Sequence, residues 1–145
     1  MKNLILRYSI VLSLGLFFFS ASLNAQKSSS DYLDQGIKHM SKQQFEQALE
    51  SFEQAFTLKK NDPNILAFRG QAKHQLGRLK EAIVDYNLVL ELEPNYAEVF
   101  HLRGLAKYEL NDKTGACEDW EKANIIGYSG VIDLIIEYCM KKNAE

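Results

Sequence analysis

The sequence of 145 residues predicts an all-α fold, a row of three helix pairs closed by one capping helix. Three observations predict it. When the chain is slid against itself by 34 residues, Gly36, Gly70 and Gly104 fall in register, as do Ala48, Ala82 and Ala116, then Phe52, Tyr86 and Trp120, and finally Ala55, Val89 and Ala123. Apolar residues within a unit recur at helical spacing, with Leu79, Ala82, Ile83, Tyr86, Val89 and Leu90 on one stripe. Pro63, Gly77 and Pro94 stand where helices are expected to start and stop.

The elements follow in order. Residues 1–25 place Lys2 and Arg7 before an apolar run from Tyr8 to Phe19 and then small residues, the pattern of a secretory signal peptide. The run falls short of the roughly 20 residues that span a bilayer as a helix, so a cleaved signal with no membrane span left after cleavage is expected, the alternative being a permanent anchor. Cleavage is expected after Ala25, with Ser22 as the alternative because Leu23 stands where a small residue is preferred. Removal takes two basic residues and no acids, moving the formal charge from −2 to −4. The remaining Lys and Arg are scattered rather than clustered, which excludes the basic patch that a nucleic acid requires.

A flexible stretch at 26–29 leads into a domain at 30–142, with units at about 29–62, 63–96 and 97–130. The middle unit is the clearest: Pro63 suits a first helical turn, Gly77 a C-terminal cap, and Pro94 closes the second helix. Gly70 and Ala82 let the two helices approach closely, and Tyr86 fills the space beyond; Phe52 and Trp120 take the same inside place. After the third unit, a capping helix at about 130–142 has Ser129 as a candidate N-cap. Tyr138 stands where a fourth glycine would fall, and no second helix follows to need the close approach. Ile132, Ile135, Ile136 and Cys139 form the face expected to pack on unit three, with Lys141, Lys142 and Glu145 solvating the far end.

The period and its columns resemble the tetratricopeptide repeat over about residues 29 to 130. The resemblance implies a right-handed superhelix of three such helix pairs plus the cap. Unit one departs from the family pattern with Gln43 at the inter-helix turn and Lys60 at the closing proline, and unit three with Asn111 and Asp112 at the turn and Tyr128 at the proline. One column departs throughout: before the first-helix glycine, where the family commonly has leucine, stand Gln35, Arg69 and Arg103. Across the pair from it stand Ser51, Asp85 and Asp119, so Arg matches Asp and Gln matches Ser. That match predicts ion pairs Arg69 to Asp85 and Arg103 to Asp119 linking the helices of units two and three; the alternative is solvated charges.

The family's first helices line a concave groove for an extended peptide or a partner's helix, so the resemblance implies a protein or peptide partner. First-helix residues expected to face it are Leu33, Ile37 and Met40, then Ala67, Gln71 and His74, then His101, Leu105 and Tyr108. One subset of the family clamps a C-terminal carboxylate with Lys, Asn and Arg. At those places stand Leu33, Ile37, Phe68, Glu98 and Leu102, so the clamp is absent.

No catalytic constellation is expected. His39, His74 and His101 offer at most two imidazoles to one site, short of a zinc site, and there is no phosphate loop, nucleophile elbow or carboxylate pair in an apolar pocket. No metal or cofactor is expected. The two cysteines remain. Cys117 and Cys139 lie 11 residues either side of Tyr128, at matching heights on antiparallel helices, and an exported chain favours a disulfide between them. The alternatives are two free buried thiols or a reactive Cys117. The exported compartment, the stretch GACEDWEKA at 115–123 and the ending Tyr138–Cys139 resemble small periplasmic repeat proteins of Bacteroidetes-type bacteria. The expected function is a non-catalytic scaffold or adaptor of the periplasm or cell exterior, with a chaperone-like holder of unfolded exported chains as the alternative.

Overall fold

The computed structural model describes residues 26–140. The expected signal peptide at 1–25 lies outside the described residues, as do Lys141, Lys142 and Glu145. Six regular helices make three antiparallel pairs: α1 (Ser29–Ser41) with α2 (Phe45–Leu58), α3 (Pro63–Gln75) with α4 (Leu79–Leu92), and α5 (Ala97–Glu109) with α6 (Lys113–Ile125).

Local chemistry sets the helix ends. The Ser28 hydroxyl accepts the Asp31 amide while the Asp31 carboxylate accepts the Ser28 amide, so two donors orphaned at the start of α1 are satisfied reciprocally. Of the segment at 26–29, Ser28 and Ser29 belong to this helix start. At α3 the Asp62 carboxylate accepts the amides of Asn64 and Ile65, with Pro63 in the first turn, where the missing proline N–H costs nothing.

Each pair turns through a residue with positive φ in the same column: Gln43 at 58°, Gly77 at 72° and Asn111 at 65°. Around each, two amides reach back to the ending helix. The Gln43 amide goes to Met40 and the Gln44 amide to His39; Gly77 and Arg78, and Asn111 and Asp112, repeat the arrangement. This left-handed cap satisfies carbonyls that the helix cannot. Glycine adopts it freely and asparagine tolerates it, but an ordinary side chain is strained there by about 1–2 kcal/mol. Gln43→Gly is therefore expected to stabilise the protein by about 1 kcal/mol after the entropy glycine adds to the unfolded chain. Urea unfolding checks it, and an unchanged or lower midpoint would show that Gln43 is not strained.

The core forms where the glycine and aromatic columns meet. A Cβ built on Gly36 would come within 2.3 Å of the Phe52 ring, on Gly70 within 2.6 Å of Tyr86, and on Gly104 within 2.4 Å of Trp120. Each ring therefore occupies the space a side chain would need, which lets the paired backbones close over it. Phe52, Tyr86 and Trp120 are fully buried. The Tyr86 hydroxyl is buried without a hydrogen-bond partner, and burial pushes its titration far above the ordinary tyrosine range, the adjacent Asp85 adding to the effect.

Successive units dock second helix to first: α2 on α3, α4 on α5. First helices also touch their neighbours, α1 to α3 and α3 to α5, whereas no comparable contact joins α2 to α4 or α4 to α6. The row therefore curves with α1, α3 and α5 on its inner side.

The capping segment is helical but irregular. A 3-10 turn at Ser129–Val131 passes into one α-helical turn at Ile132–Leu134 and then a π-helical stretch at Ile135–Met140. The capping helix expected over about 130–142 is thus helical to Met140 with an uneven winding, but Ser129 is not its cap, since it lies inside the 3-10 turn and makes no capping bond. The packed face also differs. Val131 and Ile135 are buried against unit three, with Leu134, Tyr138 and Cys139 beside them, while Ile132 and Ile136 are exposed. The wider π turn brings Tyr138 against Tyr108 at 4.7 Å and Trp120 at 6.2 Å between ring centres. Cys139 is bonded to Cys117, with Cα atoms 5.8 Å apart, and neither is a free thiol.

Candidate functional site: the inner face of the first helices

Seven helical positions separate the residues that face the hollow of the curve. Ser30 and Ile37 on α1, Asn64 and Gln71 on α3, and Glu98 and Leu105 on α5 share this centre line by their 34-residue register. Ile37 is 37% exposed, Ser30, Asn64 and Glu98 are exposed, and Gln71 and Leu105 are partly buried.

The nine residues expected in the groove divide by which way each helix turns them. Ile37 and Gln71 reach the centre. Leu33 and Met40 are half-buried and pack on the core of unit one. Ala67 is only 5% exposed and belongs to the core of unit two, so it does not face the hollow. Leu105 keeps its place on the centre line but packs partly on the core shared with the cap, and Tyr108 is turned into that core, 5.8 Å from Trp120 as well as against Tyr138. The physical reason is common to all of these. The expected stripe was drawn for an isolated helix, but positions on the side of the next unit are covered by it, and in unit three the cap plays that part.

The two histidines are engaged separately. His74 Nε2 lies 2.9 Å from Glu109 Oε1, tying α3 to α5 across the inner face. His101 stacks on Tyr128 at 5.3 Å, and its Nδ1 is buried without a partner. Burial pushes its titration below the ordinary histidine value, with Glu98 pulling the other way. Among the described residues no group of three or more His, Cys, Asp or Glu converges as a metal site would, and no helix is long and apolar enough to cross a membrane.

Behind the inner face, each of units two and three holds a buried carboxylate between two cations. Asp85 accepts Arg69 Nε at 2.9 Å and Lys73 Nζ at 2.8 Å. Asp119 accepts Arg103 Nε at 2.9 Å, and Lys107 Nζ lies 2.9 Å away. Lys73 and Lys107 were not expected from the Arg and Asp columns. The signal was present: each lysine follows its arginine by one helical turn, in RGQAK and RGLAK. The preceding unit covers each group, with Phe56 stacked on the Arg69 guanidinium at 3.8 Å and Asn87 accepting from Arg103 at 2.7 Å. Unit one has neutral residues in these places. Ser51 bonds its own helix at the Gln47 carbonyl, and Gln35 and His39 line a cavity of about 250 Å3 on the side that the preceding unit covers in units two and three.

At the places of the carboxylate clamp no cation is present. Phe68 stacks on Phe52 at 5.7 Å, Leu102 packs on the core of unit two, and Glu98 is acidic.

Profiles of the tetratricopeptide repeat match residues 32–62, and of the TPR repeat residues 70–111. The chain is 28% identical over 99 residues to the heat-shock protein cognate co-chaperone sgt12 of Aspergillus fumigatus, covering 68% of this chain and 29% of that protein. It is 29% identical over 89 residues to RNA polymerase II-associated protein 3 of Xenopus tropicalis, covering 61% and 14%. The chain thus spans less than a third of either relative. Among solved structures, the first TPR of Spaghetti (RPAP3) bound to the HSP90 peptide SRMEEVD superposes with a TM-score of 0.73 at 19% identity, covering 81% of this chain and 92% of that one. The Sgt2 TPR domain from Aspergillus fumigatus gives 0.69 at 23% identity, covering 80% and 77%. At these identities the likeness is one of fold.

Proposed function

The chain is a tetratricopeptide repeat protein, and we propose that it is a non-catalytic scaffold or adaptor that holds a peptide or protein segment on the inner face of α1, α3 and α5. The observation that carries this reading is the inner centre line, where Ile37 stands exposed among the polar Ser30, Asn64 and Gln71 with the acidic Glu98 at its far end, while the aromatic residues around it are already used in the core. Solved relatives in the same fold hold peptides: the second TPR of Spaghetti is also bound to the HSP90 peptide SRMEEVD. The acidic C-terminal tail is not the ligand proposed here, because the cations that would clamp it are missing. The N-terminal pattern supports placing the working protein in the periplasm or cell exterior.

Ile37→Asn combined with Gln71→Trp removes the exposed apolar contact and blocks the centre without changing charge. This variant should fold like the parent and lose its partner in a crosslinked pull-down from cells exporting the protein. Retention of the partner by the folded variant would sink the assignment. A second reading, a holder of unfolded exported chains, draws on the apolar residues exposed away from the inner face, Val84 and Leu88 on α4 and Ile132, Ile136 and Met140 on the cap. The same pull-down separates the two, since a scaffold recovers one stoichiometric partner and a holder many at low occupancy.

A further inference from the structure

We propose that the segment taken on the inner face is cationic and amphipathic, with lysine or arginine side chains interleaved with apolar ones. The proposal rests on the groove reading above and names the partner's chemistry. Its basis is where the charges of the first helices go. Of the five Lys and Arg on α1, α3 and α5, four are drawn behind the face: Arg69 and Lys73 onto Asp85, and Arg103 and Lys107 onto Asp119. The fifth, Lys38, follows Ile37 directly, so it lies about a quarter turn off the centre line, one helical turn after Asp34.

The acids are placed oppositely. Glu98 on α5 is exposed on the centre line and Asp34 on α1 beside it, and Glu109 on α5 is exposed with only a histidine against it. A segment crossing the three helices thus meets acid on both flanks and the neutral Gln71 and Gln75 of α3 between them. Ile37, with the partly exposed edges of Leu33, Phe68 and Leu102, supplies apolar contact along the same path. Burying the cations in intra-unit groups removes positive charge from this face without removing it from the fold, so acids outnumber cations there, with Asp34, Glu98 and Glu109 against Lys38. Complementary charge at a rim chiefly selects the partner and speeds encounter.

The test uses the mature chain and three short fluorescein-labelled peptides, of alternating leucine and lysine, leucine and glutamine, and leucine and glutamate, with binding read by anisotropy at low salt. The lysine peptide is expected to bind about tenfold more tightly than the glutamine one, the combined effect of three exposed pairs, and the glutamate peptide most weakly. Raising the salt should level the series. Asp34→Lys with Glu98→Lys should invert the preference, whereas Glu50→Lys with Glu118→Lys, the same charge change on the second helices, should leave it. Equal binding of the three peptides, a preference for glutamate, no binding of the lysine peptide, or equal loss in both charge variants would overturn the proposal. The groove reading is tested apart from it by the glutamine peptide. If Ile37→Asn with Gln71→Trp leaves its binding intact, the face itself is wrong; if that variant abolishes binding but charge has no effect, only the partner's chemistry is wrong.

Discussion

Asp85→Ala is expected to destabilise the protein by about 3–5 kcal/mol, the cost of leaving buried charge without its partner. The carboxylate is 1% exposed and faces the guanidinium of Arg69 and the ammonium of Lys73, whose side chains are 11% and 12% exposed. Removing it leaves two cations of like sign together under the helix of the preceding unit. Part of the loss is recovered if Lys73 reaches solvent along its flexible stem; Arg69, pinned under the Phe56 ring, cannot follow. Unit one offers the internal control, since its equivalents are Ser51, Gln35 and His39. Transplanting that neutral set as Asp85→Ser, Arg69→Gln and Lys73→His should restore most of the lost stability, because no charge is then buried. Urea unfolding followed by circular dichroism reads both variants. A loss below about 1 kcal/mol for Asp85→Ala, in the range of exposed pairs, would show that the group is solvated.

These columns also mark how much of the molecule can be read without coordinates. Repetition carries the three helix pairs, because a glycine facing an aromatic ring recurs at one spacing and each occurrence answers the same close approach. The Arg and Asp columns point to the places where the buried ion pairs lie, since matched substitution across two columns reflects a shared contact. The inner face is harder to read. Ala67 and Tyr108 share a stripe with Ile37, Gln71 and Leu105, but what covers a helix is decided by the neighbouring unit, and one helix's periodicity holds no record of that neighbour's path. The cap is harder still. Its apolar residues run nearly all round, so α and π windings bury different faces, and only the contacts of Tyr138 with Tyr108 and Trp120, together with the bond to Cys117, select the winding observed.

Cys117→Ser with Cys139→Ser is expected to cost about 3 kcal/mol in the chain-entropy account of a closed loop, for a sequence separation of 22 residues. The loss should fall on the cap rather than on the whole array, because in a repeat protein each unit is held only by its neighbours. Trp120 makes this readable. It is the chain's single tryptophan, fully buried between α5, α6 and the ring of Tyr138. Loosening of the cap should shift its emission to longer wavelength at denaturant concentrations where the α-helical signal of units one and two is still intact. Coincident fluorescence and helical transitions with an unchanged midpoint would mean that the disulfide adds nothing to the hold of the cap.

The neutral columns of unit one have a consequence for how the array comes apart. The C-terminal end is stapled, and the middle and last units are each locked by a carboxylate between two cations, but α1 has neither staple nor lock and turns into α2 through the strained Gln43. Unzipping should therefore start at α1 and travel toward the cap, with α1 amides exchanging hydrogen fastest and α6 amides slowest; faster exchange in α6 than in α1 would contradict this order. Because α1 carries Ile37 and Asp34, the loosest wall of the hollow is also one that the proposed segment would touch, and a bound segment would act as the missing lock, slowing exchange in α1 more than anywhere else.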